Sequence, residues 1–183
     1  MESAFGEPQI EGDELQKCLA YLQEELKLAA FQNKEATLYQ NASVKYGDVT
    51  STDSRALKEK YRAANRLAQA ADEIVKRRGK MEPIADAASA AYSAWQLAYS
   101  DYSAWVSALS AAAEAIADGI EPPVRQVLKL ASQFQKSRYA ARDEGRKFLD
   151  RLGLEGNMIQ KLLNEAAAAV ADDNWQPKEV KED

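Results

Sequence analysis

Arg138, Arg142 and Arg146 recur at i, i+4 and i+8, so on a helix their guanidinium groups share one face. Lys76, Arg77 and Arg78 are consecutive, with Lys80 close behind. Cations gathered in this way suit phosphate recognition, and these two sets are the candidate anion-binding residues. Other reactive residue types are sparse. Histidine is absent from all 183 residues. That excludes histidine general acid–base catalysis, Ser-His and Cys-His nucleophile pairs, and histidine-ligated zinc. The single cysteine, Cys18, has no second thiol to pair with and reads as a buried or half-buried structural thiol. Asp13-Glu14, Glu24-Glu25 and Asp72-Glu73 are adjacent carboxylates. Neighbours in a helix point about 100° apart, so each pair reads as solvated rather than catalytic. Glycine-rich phosphate loops, CxxC pairs and G-x-S-x-G elbows are missing. The expectation is a non-enzymatic protein with no cofactor and no metal.

The segment AYSAWQLAYSDYSAW, residues 91–105, repeats Tyr-Ser-Ala-Trp and contains two of the three tryptophans. Trp95, Tyr102 and Trp105 fall on a seam with Ile84, Ala88, Ala91, Ala98, Leu109, Ala112 and Ile116, spaced alternately by four and three. A seam this long predicts a helix packed against other long helices, with the rings as core. Gly145 and Ala141 offer a hollow for one indole. An aromatic strip for stacking ligands would need neighbouring cations, and this helix has none. A membrane span is disfavoured by the many serines and by Asp101, since a central aspartate costs ~2.5–3.5 kcal/mol on insertion. Opposite the seam runs a second stripe: Ser89, Ser93, Gln96, Ser100, Ser103, Ser107, Ser110 and Glu114. A small, polar, nearly uncharged face allows close approach with few charges to desolvate, so its serines are the candidate partner interface.

These residues need elements to hold them. The length fits a single domain, and abundant alanine with only 13 glycines and prolines tilts the class to all-α. The pattern predicts an antiparallel bundle of four long helices, up-down-up-down, plus a short C-terminal fifth helix. Residues 1–11 read as a flexible N-terminal arm, 12–172 as one helical-bundle domain and 173–183 as a charged C-terminal tail. The first helix starts near Gly12-Asp13-Glu14 and stops near Tyr46-Gly47-Asp48, and VTSTDS (49–54) is a connector rich in N-cap residues. The second carries Leu57, Tyr61, Ala64, Ala68, Ala71 and Val75 inward, with Lys76–Arg78 in its last turn and Gly79 after it. The third is expected over about 83–118, opened by Pro83 and closed by Gly119. The fourth follows Pro122-Pro123 and ends at Gly153, with Arg138 interrupting an otherwise apolar stripe. Asn157 and Gln160 have the spacing of a capping box for the fifth.

Charge alternates along the chain. Residues 53–80 hold nine Lys/Arg against four Asp/Glu, and 122–152 hold eight against three, whereas 1–48, 81–121 and 153–183 are each net acidic. Adjacent helices of opposite sign favour the up-down-up-down arrangement over its alternatives. The expected function is a structural or protein-interaction helical bundle, a component of a larger assembly, cellular or viral, with a protein partner or a second copy. The alternative is a binder of nucleic acid or anionic surfaces through basic helices two and four. The acidic N-terminus lacks an apolar signal core, and one cysteine forms no intrachain disulfide, so the cytoplasm is the expected compartment.

Overall fold

The computed structural model describes residues 9–46, 57–81, 85–172 and 175, and it is all-helical. α1 spans Gly12–Tyr46, α2 Leu57–Arg78, α3 Ser89–Ala117, α4 Val124–Leu152 and α5 Gly156–Ala171. The four long helices form the expected bundle, and the short fifth flanks it.

Local chemistry accounts for most helix ends. Asp13 and Glu14 lie in the first turn of α1, and Lys76, Arg77 and Arg78 in the last turn of α2, each complementing the helix dipole. Gly119 adopts φ 73° after α3. Its N–H donates to Ile116 O, and that of Ile120 to Ala115 O, a Schellman closure that needs a residue tolerant of left-handed backbone. Gly153 closes α4 in the same conformation, φ 65°.

Three boundaries differ from the sequence reading. α3 starts at Ser89, after a 3-10 turn over Asp86–Ala88, rather than at 83; Pro83 and Ile84 lie outside the described residues. The Asn157/Gln160 capping box does not form, because α5 begins one residue before Asn157. Asn157 Oδ1 instead accepts from the N–H of Met158 at 2.8 Å, and Gln160 donates to Asn164. Gly79 follows α2 without left-handed backbone, in a run of turn bonds from Gly79, Lys80 and Met81. The connector 49–54 lies outside the described residues, as do most of the arm and tail. The end of the arm is docked: Ile10 is buried and its N–H donates to Arg151 O at 2.8 Å.

α2 packs between α1 and α3, and α3 between α2 and α4. α5 lies along α1 through Leu162, Ala166 and Val170, one stripe at i, i+4, i+8. Lys34 Nζ donates to Val170 O at 3.0 Å, a cation at the carbonyl end of α5. Trp175 packs on Phe31, with ring centroids 5.3 Å apart. The core has two parts. One gathers Cys18, Leu22, Ile74, Met81 and Phe148, where α1 begins and α4 ends. The other gathers Leu67, Tyr102, Val106, Leu109 and Val127 towards the opposite end. No helix among the described residues is long and apolar enough to cross a membrane.

Candidate functional site

The bundle is not closed evenly. α1 and α4 meet where Tyr21 stacks on Phe148, centroids 6.2 Å apart. Further along, a cleft of about 600 Å³ separates them, floored by α3. The floor is aromatic: Trp95, Tyr99, Tyr102 and Trp105 come from α3, and Phe134 joins them from α4. Phe134 stacks on Trp105 at 5.8 Å and 15° and meets Tyr102 at 5.0 Å. The α1 wall supplies Gln32, Asn33, Thr37 and Gln40, and the α4 wall supplies Arg138 and Arg142.

The tryptophans are therefore half-buried cleft walls as well as core residues. The predicted hollow is real: Trp95 lies against Gly145, where an added Cβ would sit 2.9 Å from the indole Cζ2. The cations that α3 lacks come from α4. Arg138 and Arg142 are exposed and make no ion pair with any described residue. Among the described residues no carboxylate lines the cleft. Burial, opposed by a hydrogen bond with Gln32 and reinforced by Tyr39 and Glu35, raises the pKa of Tyr102 to about 12, so the phenol stays neutral.

The second basic set does not form the expected surface corner. Arg78 is 0 % exposed. It donates through Nε to Glu25 Oε2 at 3.1 Å and through Nη2 to Glu25 Oε1, and through Nη1 to Gln96 Oε1 at 2.7 Å. The rings of Tyr92 and Tyr99 face its guanidinium at 5.2 Å. Glu25 also accepts from Tyr21 OH at 2.7 Å. The solvated reading of Glu24-Glu25 is thus corrected for Glu25, which is 4 % exposed. Arg77 is held by Glu73 at 2.8 Å, and Lys76 is exposed. Arg78 lies on the true inward stripe of α2, Ala64, Leu67, Ala71, Ile74, one position round from the expected seam. A second pair, Arg66 with the buried Glu35, also ties α2 to α1 and realises the acidic–basic alternation. Cys18 is buried; burial, then Glu14, raises its pKa while Arg151 opposes, so it is no activated thiolate.

The serine stripe divides. Ser89, Ser93 and Ser107 are exposed, and Ser100, Ser103 and Ser110 are partly covered. Every exposed residue from Ser89 to Ala111 is serine, alanine or leucine, the leucine being Leu97 at 57 % exposure. Sequence reading missed Leu97, which lies one helical turn from Ser93 on the same outward face. Gln96 belongs to the Arg78 network. No protein-family model matches this chain, nor does any curated protein or solved structure.

Proposed function

We propose that this chain is a non-enzymatic helical interaction module, a structural component of a larger assembly, which associates with a second copy of itself through the outward face of α3. The observation that carries this reading is the make-up of that face: seven exposed positions between Ser89 and Ala111, all serine, alanine or leucine. A solvated helix face ordinarily carries charge. A two-fold interface uses one patch twice and must be self-complementary. α3 lies in the acidic segment 81–121, so carboxylates on its outer face would meet their own kind in a second copy. Serine and alanine avoid that repulsion and let the helices approach, while Leu97 supplies apolar area at the centre.

Replacing Ser93, Leu97 and Ser107 together with lysine tests this. The variant should run as a monomer with unchanged helicity while the wild type runs as a dimer. Equal association of the two proteins overturns the reading. The alternative, binding of nucleic acid or anionic surfaces, is supported on α4 by the exposed Arg138, Arg142 and Arg146 and weakened on α2 by the burial of Arg78.

A further inference from the structure

We propose that the cleft between α1 and α4 binds a small planar aromatic anion, a ring system bearing a carboxylate or phosphate, stacked on the α3 aromatics and held by Arg138 and Arg142. Arg138 is the polar interruption of the α4 stripe. It occupies a seam position on α4 between Phe134 and Ala141, where an apolar side chain would close the bundle against α1. Facing it on α1 are Gln32, Asn33, Thr37 and Gln40, again polar where leucine would close the gap. Both walls leave the floor rings open to a guest.

The chemistry of the lining selects the guest. Rings from α3 and α4 offer stacking faces and edges to a flat apolar body. Two guanidinium groups one turn apart, with no carboxylate partner and none in the lining among the described residues, match an oxyanion in a bidentate fork. The carboxamides of α1 and the neutral phenol of Tyr102 complete a short set of polar groups that fix orientation. A volume of about 600 Å³ suits such a ligand. Three turns of helix, ~10 Å across and ~16 Å long, need roughly twice that space, which disfavours a docked helix.

The test uses the full chain with Trp175→Phe, so that fluorescence reports Trp95 and Trp105, together with calorimetry. The probes are 2-naphthoate, 2-naphthyl phosphate and the neutral 2-naphthamide, with an oligothymidylate of twelve nucleotides as the macromolecular control. One site per chain is expected, with either anion bound roughly tenfold more tightly than the amide. The naphthoate-to-phosphate ratio then identifies the anionic group. Arg138→Gln with Arg142→Gln should abolish the preference for anions and leave amide binding in place; both residues are exposed, so the fold should be unchanged by circular dichroism. Three results would overturn the proposal: no saturable anion binding, anion binding indifferent to the two arginines, or tighter binding of the oligothymidylate at the same arginines.

Discussion

The indole of Trp95 rests on the bare backbone of Gly145, so close that a Cβ there would lie 2.9 Å from Cζ2. That contact joins α3 to α4 at the inner end of the cleft and fixes one wall of it. Gly145→Ala should therefore destabilise the fold by about 1 kcal/mol, because overpacking costs ~1–3 kcal/mol and the helix-propensity gain recovers at most ~1. In a Trp95→Ala background the sign should reverse, with alanine at 145 stabilising by up to ~1 kcal/mol. Urea unfolding of the four proteins of this cycle measures both. Destabilisation in both backgrounds would mean that the clash is with something other than the indole.

Arg78 and Glu25 join α1 and α2 in the interior, and Gln96 ties α3 to the same group. Glu25→Ala leaves a buried guanidinium without its carboxylate and should cost ~3–5 kcal/mol. Glu25→Leu combined with Arg78→Met removes both charges and should recover roughly half of that loss or more. Thermal and urea unfolding decide it; a double variant less stable than the single would contradict the burial of this pair.

Three tyrosines set the alkaline limit of the fold. Burial raises Tyr102 from 10.0 to about 12, and burial followed by the Glu25 charge raises Tyr21 and Tyr99 beyond it. The folded state therefore holds these protons more tightly than the unfolded chain does. Their contribution is complete below pH ~10 and is lost as pH rises through the folded values. The melting temperature should be level with respect to these groups from pH 7 to about 9.5 and fall steeply above 10. Absorbance at about 295 nm should show these three phenols of the eight titrating late or only on unfolding. Normal titration of all eight in the folded protein would contradict their burial.

The cleft arginines predict an asymmetry in quenching. With Trp175 replaced by phenylalanine, iodide should quench Trp95 and Trp105 more efficiently than caesium, since Arg138 and Arg142 concentrate anions at the floor rings. Replacing both arginines with glutamine should level the two quenchers. Equal quenching in the parent would contradict the placement of the cations in the same cleft as the indoles.

Much of this was legible in the sequence because it depends on spacing. The third helix's seam set Trp95, Tyr102 and Trp105 inward, and a glycine at 145 marked the hollow that receives an indole. The Arg78 pair was hidden by its surroundings. Lys76, Arg77, Arg78 and Lys80 resemble a solvated helix end, and only the 3-4 spacing from Leu67 through Ala71 and Ile74 carries Arg78 inward. Alanines at 64, 68 and 71 made two neighbouring seams nearly equal in apolar character, so the face was read one position off. The cleft was illegible for a different reason. Most of its aromatic floor lies on α3 and its cations on α4; the packing of those two helices brings them together, and the splay of α1 from α4 leaves them open.

Self-association through the outward face of α3 is tested most directly by molar mass, from size exclusion with light scattering at low and at high salt. The expected result is twice the chain mass of 20.2 kDa at both, since an interface of serine, alanine and leucine, with the partly covered Asp101 as its one charge, has little to screen. A mass of 20.2 kDa across the concentration range would contradict it, and a dimer that dissociates in salt would move the interface from the serine face to the charged helices.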